Sequence, residues 1–218
     1  MRKLVFASMT YGPVDSAVLP SQRVATWHAQ QHGGVRWIAD MSPNRMKFDV
    51  ARNLIAQTVC NETDADGIFW CDSDVVLQED AISQLVSHDA NFVTGIYFQR
   101  EPPHWPLISI RRPTGEQPFN WLVKWPEGAY FEADGCGFGC VYTSTRLLKA
   151  IGKDWFKYEH YSEDFDFCIK AKQAGFPLMV DSTVLCGHLR DPQPATFETY
   201  RAAHPEIAWT PVITKEVA

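Results

Sequence analysis

Two rhythms of apolar and polar residues alternate along this chain. Residues 3–9 form a short apolar run that predicts a first strand, closed by Tyr11-Gly12-Pro13. Residues 21–32 read as a helix, with Ser21 as its N-cap and Gly33-Gly34 as its stop. Residues 35–39 predict a strand ending at Asp40. Residues 49–61 carry apolar side chains at Val50, Leu54, Ile55 and Val59, a helical spacing. Residues 67–71 predict a buried strand, 79–88 a helix and 91–97 another strand. This βαβαβ order predicts an α/β fold: a mixed, mostly parallel, Rossmann-like sheet flanked by helices on both faces. Ligands bind at the carboxyl ends of strands in such sheets, where Thr10-Tyr11, Asp40 and Asp72/Asp74 fall.

The second half changes character. Residues 101–126 are rich in Pro and Trp, and 107–111 and 121–125 predict short strands of a small antiparallel excursion. Gly135-Cys136-Gly137-Phe138-Gly139-Cys140 leads into Val141-Tyr142 and a helix near 146–151. Residues 162–174 read as a helix stopped by Gly175, and 178–181 and 183–186 as late strands. A polar tail follows, with a loosely packed helix around 196–204. No repeat or linker divides the chain. The expected organisation is one domain over 1–190 and a tail over 191–218.

A length of 218 residues and a hydrophobic content of 45% suit one folded domain. The net charge of −6 gives no footprint for nucleic acid, and Arg111-Arg112 is the only basic doublet beyond Arg2-Lys3. No apolar run approaches the roughly 20 residues of a membrane span. The apolar start stops too soon for a signal peptide, so a cytoplasmic protein is expected. The six cysteines lack disulfide-scaffold spacing. Cys136, Cys140, Cys186 and His188 make zinc conceivable, but without C-x-x-C spacing buried free thiols are expected.

Asp72-Ser73-Asp74 places two carboxylates one residue apart where a buried strand opens into a loop. Like charges repel there unless a divalent cation relieves them, and such a cation can hold a diphosphate. A surface turn or N-cap would use the same residues. Ser162-Glu163-Asp164-Phe165-Asp166 opens a helix with three carboxylates. They suit the helix dipole, and an ionised one also suits a general base. Cys186-Gly187-His188 follows a late strand, and His188 is a packed residue or a nitrogen ligand for the same cation. The alternate glycines at 135, 137 and 139 point to close backbone approach to a ligand or to a tight bend. Arg52 either pairs with Asp49 on a helix surface or reaches the rim, as Arg45 could, to meet a nucleotide.

Taken in order, Thr10-Tyr11, Ala51-Arg52-Asn53, Phe69-Trp70-Cys71-Asp72-Ser73-Asp74, the 135–140 glycine segment, Ser162–Cys168 and Cys186-Gly187-His188 resemble small GT-A-fold glycosyltransferases of bacterial and phage type. The resemblance covers roughly residues 3–190. It implies a metal-dependent transfer of sugar from a nucleoside-diphosphate sugar, UDP- or GDP-linked, to an acceptor hydroxyl. Residues up to about 100 would bind the donor, and about 101–190 the acceptor. Asp72 and Asp74 match the DxD motif, and His188 the late metal ligand, for Mn²⁺ or Mg²⁺. Glu163-Asp164 match the acceptor-side pair, with Asp164 the base in the favoured inverting course. Thr10, Tyr11 and Asp40 match nucleoside-binding positions, Arg52 and Ser73 lie by the donor, and Gly137 lies in the loop beneath the donor sugar. The acceptor stays open: glycan, small molecule, protein or modified nucleobase. Acceptor choice is expected in the Trp/Pro-rich segment, where Trp121 and Trp125 either stack on a ligand or cap the sheet. Two alternatives are a non-catalytic nucleotide-sugar-binding protein and a nucleotidyltransferase of related fold. Against the latter, residues 10–15 lack the basic signature such enzymes carry after the first strand.

Overall fold

The computed structural model of the chain describes residues 1–10, 12, 14–111, 119–159, 161–189 and 193–209. In order, its elements are β1 (Arg2–Met9), α1 (Val18–Gln31), β2 (Val35–Met41), α2 (Phe48–Glu62), β3 (Gly67–Asp72), β4 (Val75–Val76), α3 (Ala81–Ser87) and β5 (Phe92–Ile96). Then come β6 (Ile108–Arg111), β7 (Phe119–Trp121), β8 (Tyr130–Ala133), β9 (Gly135–Cys136), β10 (Cys140–Ser144), α4 (Thr145–Ile151), α5 (Glu163–Gln173), β11 (Leu178–Leu185), β12 (Gly187–His188) and α6 (Phe197–Ala203). Helix α1 begins at Val18, not at Ser21. The Ser21 hydroxyl instead donates to the Val18 carbonyl and accepts from the Leu77 N–H. Ser162 caps α5 by accepting from the Phe165 N–H, and Gly175 follows that helix at φ +84°.

Seven strands form the central sheet in the order β2-β1-β3-β10-β5-β11-β8. Strand β1 runs parallel to β2 and β3, and β5 parallel to β11. Strands β10 and β8 run the other way, so five of the seven share one direction. Two apolar clusters cover the two faces. One holds Ile55, Val59, Trp70, Phe138, Phe156 and Phe167. The other holds Phe6, Phe69, Ile82, Leu85 and Val93.

Strand β10 positions the site. It lies antiparallel beside β3 with Cys140 opposite Cys71, so the residues just before it land beside the end of β3. The Asp72 N–H accordingly donates to the Gly139 carbonyl at 3.3 Å. A second small pairing sets His188 of β12 opposite Val75 of β4.

The excursion forms a three-stranded sheet, β7-β6-β9. Its second strand is Phe119–Trp121, earlier than 121–125, and residues 112–118 lie outside the described set. Trp125 is buried, stacked on Tyr200 at 5.9 Å and edge-on to Trp209 at 4.9 Å. Trp105 stacks on His204 at 4.4 Å, and Trp121 meets Phe165 edge-on at 6.1 Å. Helix α6 is therefore tightly docked, with Tyr200 fully buried. All six cysteines are free, and only Cys60 is not buried. Among the described residues, no helix is long and apolar enough to cross a membrane.

Candidate active site

Helix α2 buries Ile55 and Val59 as its apolar spacing predicts, but its inward face is turned toward Ala51, Arg52 and Ala56 and away from Val50 and Leu54. Ala51, Arg52, Ile55, Ala56 and Val59 are buried, whereas Val50 and Leu54 are exposed. Arg52 is among the largest fully buried side chains in the molecule. Burying a guanidinium costs several kcal/mol unless it is paired, and here it is paired three times. Nη2 donates to Asp72 Oδ1 at 2.9 Å, and Nη1 donates to Glu163 Oε1 at 2.7 Å and to Asp164 Oδ1. Phe138, Phe48 and Phe156 lie 5.4–5.7 Å from the guanidinium carbon, cation–π distances. Next in sequence, Asn53 holds the Phe156 backbone in two reciprocal hydrogen bonds, 2.6 and 3.0 Å. Arg52 Nε has no partner.

One cation thus serves three carboxylates, and the charge balance shows it. Burial lowers the Arg52 pKa, but Asp164, Asp72 and Glu163 outweigh it, and the net shift is upward. Burial raises Asp164 most; Arg52 opposes, Glu163 and Asp72 add to the rise, and the result is about 7. Asp72 is also raised by burial, partly offset by Arg52. The opposite demands of the pair agree physically: the guanidinium has an excess of countercharge, and each carboxylate has only a share of one. The Phe138 N–H also donates to Asp164 Oδ2 at 3.3 Å.

Asp74 lies in the turn after β3, and its neighbours differ. His188 Nε2 and Arg100 Nη1 approach its Oδ2 at 3.3 and 3.2 Å. Burial would raise Asp74, but the hydrogen bond and charge of His188, with Arg100, bring it below its usual value. His188 Nδ1 lies 2.7 Å from the Phe98 carbonyl, which can only accept, so Nδ1 carries a proton. Nε2 is left as the atom facing Asp74. A metal-binding imidazole is oriented in this way, by a backbone acceptor on its other nitrogen.

The predicted residues therefore divide into two neighbouring sets. Asp72, Arg52, Glu163 and Asp164 form one network, and Asp74 and His188 form a pair. Asp74 and His188 suit a hard or borderline divalent cation. Asp72 lies two residues away with Oδ1 committed to Arg52. Among the described residues no three His, Cys, Asp or Glu side chains gather as a metal site. Ser73 is half-buried in the turn. Thr10 follows β1, whose Met9 pairs with Asp72; it bridges to Asn44, and its carbonyl accepts from the Arg45 N–H. Asp40 is exposed on β2 opposite Phe6 and accepts from Ser42 Oγ at 3.0 Å. Tyr11 lies outside the described residues.

The alternate glycines answer to the protein's own rings. A Cβ on Gly137 would lie 2.1 Å from Tyr97 Oη, one on Gly139 2.7 Å from Tyr97 Cζ, and one on Gly135 2.7 Å from Phe165 Cε1. The Gly139 N–H donates to the buried Tyr97 hydroxyl at 3.0 Å. Burial, with Asp72 and Asp164 nearby, holds that hydroxyl in its protonated form, its pKa well above the usual value. Sequence reasoning missed Tyr97, Arg100 and Tyr158; the position of the first two around the end of a strand was the available signal. The Tyr158 hydroxyl is hydrogen-bonded to Glu163 and, first by burial and then by that bond, its pKa is raised. Tyr158 lines a cavity of about 370 Å³ with Met46, Lys47 and Phe48.

This architecture occurs in solved structures. The A197 protein from STIV matches at a TM-score of 0.56 and 21% identity, over 88% of this chain and 87% of its own. GalNAc-T7, solved with UDP, GalNAc and Mn²⁺, matches at 0.58 and 10% identity, over 94% of this chain and 48% of its own. The fold is GT-A-like. The chain spans about half the length of GalNAc-T7. No protein-family model and no curated protein sequence matches it.

Proposed function

We propose that this protein is a metal-dependent glycosyltransferase that moves a sugar from a nucleoside-diphosphate sugar to an acceptor hydroxyl. The observation that carries this reading is Asp164: a largely buried carboxyl at the start of α5, raised to about 7, sharing Arg52 with Asp72 of the DxD motif. The GT-A-like fold, seen in a neighbour solved with UDP and Mn²⁺, supports it.

Asp74 and His188, with Asp72, would hold Mn²⁺ or Mg²⁺, which would offset charge on the leaving diphosphate. Thr10, Tyr11, Asp40 and Ser73 belong to the donor side in this reading, as does the first half of the domain. Arg52 holds Asp164 in position by direct ion pairing. The Phe138 N–H fixes the second oxygen of Asp164, so the carboxylate has a single orientation. In its ionised form Asp164 accepts the proton of the acceptor hydroxyl as that oxygen attacks the anomeric carbon, the inverting course. Glu163, bonded to Arg52 and Tyr158, steadies the start of α5.

Nucleotide release from a panel of UDP-, GDP- and TDP-sugars, with and without Mn²⁺, tests the reading. The wild type should show metal-stimulated turnover with one donor base. Asp164→Asn should bind that donor normally and lose turnover by about 10²-fold or more. Folded protein that turns over no donor would overturn the proposal, and an active Asp164→Asn would remove Asp164 from it.

A further inference from the structure

Resting on the glycosyltransferase reading, we propose that Arg100 is a diphosphate-binding residue, held on Asp74 until a divalent cation takes its place. Two nitrogen-bearing side chains meet one oxygen of Asp74, and they differ in kind. His188 is fixed by the Phe98 carbonyl and is only 12% exposed. The Arg100 side chain is 57% exposed and reaches Asp74 by a single nitrogen at 3.2 Å. An exposed ion pair of this kind is worth about 0–1 kcal/mol, so it is readily exchanged. The backbone that carries it is not loose. The Gln99 N–H donates to the Trp105 carbonyl at 2.8 Å, and the His104 ring bonds the Gln99 carbonyl at 3.0 Å. His204 Nε2 bonds the Pro103 carbonyl at 2.8 Å and its ring stacks on Trp105. A braced loop thus presents a movable guanidinium at the Asp pair.

The charge count gives that guanidinium a purpose. Asp72, Glu163 and Asp164 already share one buried cation, Arg52, whose two bonded nitrogens are taken up by them. A diphosphate arriving beside Asp72 and Asp74 meets local negative charge. A cation on Asp74 and His188 competes with Arg100 for the same carboxylate oxygen. Arg100, once displaced, is the nearby exposed fork suited to phosphate oxygens. The same exchange predicts opposite effects on two ligands, a signature that loop packing alone would not produce.

The test is isothermal titration of wild type, Arg100→Gln and Arg100→Lys with Mn²⁺ alone, then with UDP, GDP, UMP and GMP at saturating Mn²⁺. Arg100→Gln should weaken the preferred nucleoside diphosphate roughly 10-fold or more, the loss of a charge-assisted hydrogen bond. It should change the corresponding monophosphate by much less, and bind Mn²⁺ alone up to about 5-fold more tightly, because a competing ion pair is gone. Arg100→Lys, which keeps the charge without the fork, should fall between. Unchanged diphosphate affinity in Arg100→Gln, or equal losses for mono- and diphosphate, would overturn the assignment and leave the glycosyltransferase reading standing. A folded wild type that binds no nucleoside diphosphate would remove both.

Discussion

Replacing Arg52 by Met removes the one buried cation from a cluster of three carboxylates. The side chains of Asp72, Glu163 and Asp164 are 21%, 7% and 16% exposed, so none can recover full hydration. Breaking a buried ion pair by deleting one partner costs about 3–5 kcal/mol, chiefly through the uncompensated charge left behind. Three orphaned carboxylates would exceed that if all stayed ionised. Instead they relieve the strain by taking up protons. Met also keeps part of the apolar packing against Phe48, Phe138 and Phe156. An expected loss of about 4 kcal/mol is a large share of the roughly 5–15 kcal/mol that stabilises a typical domain. In urea, at a slope near 2 kcal/mol per M, the midpoint should fall by about 2 M.

The sign of the pH dependence sharpens this prediction. Asp164 sits near 7 in the folded protein, above its unfolded value, so its folded form favours the proton. Such a group's contribution is fully present below the unfolded pKa and lost as pH rises through the folded one. Removing Arg52 removes the influence that lowers Asp164, so its folded pKa rises further and the window widens upward. The gap between wild type and Arg52→Met should therefore be smallest near pH 5 and largest near pH 8. Equilibrium urea curves at these two values decide the matter. A midpoint shift below about 0.5 M, or one independent of pH, would mean that Arg52 does not supply the countercharge assigned to it.

The same Asp164 value makes a prediction for activity. If this carboxylate takes the acceptor proton, turnover should rise with pH through about 7 as it ionises, while its contribution to stability falls over the same interval. A profile flat from pH 5.5 to 8.5 would exclude that role. Gly137→Ala should destabilise by about 1–3 kcal/mol, because its Cβ would lie 2.1 Å from Tyr97 Oη in a closely packed region. Tyr97→Phe alone leaves the Gly139 N–H unpaired and should cost a similar amount. Combined, the two changes should cost clearly less than their sum, since the second removes the atom that the first strikes. Strict additivity in thermal unfolding would refute the packing account.

Much of the fold was legible because it is local. The strand–helix order of the first half, the Ser162 cap and the Gly175 stop follow from apolar spacing and backbone chemistry within a few residues. The Asp pair at a strand end was legible for the same reason. The inward face of α2 was legible only in part. Its apolar spacing picks out Ile55 and Val59, which are buried, but also Val50 and Leu54, which are exposed, while Arg52 is buried because three carboxylates from two distant segments gather around it. The glycine alternation signalled close packing but not its partners: Tyr97 and Phe165 lie some 30–40 residues away in either direction and carry no local signal. By sequence, Trp121 and Trp125 suit either a ligand or a cap on the sheet; Trp125 packs on Tyr200 of α6 and on Trp209, and Trp121 meets Phe165, contacts that carry no local signal.

Asp72-Ser73-Asp74, Glu163-Asp164 and His188 could all be picked out as candidates from residue type and position alone, since strand ends and helix starts are short-range features. Their grouping could not. The antiparallel insertion of β10 brings Gly139 to Asp72 and Phe138 to Asp164, and the pairing of β12 with β4 brings His188 to Asp74. These pairings join segments up to about 110 residues apart. Only the assembled sheet specifies which carboxylate receives Arg52 and which receives His188, because shared burial, not sequence spacing, decides where countercharge must go.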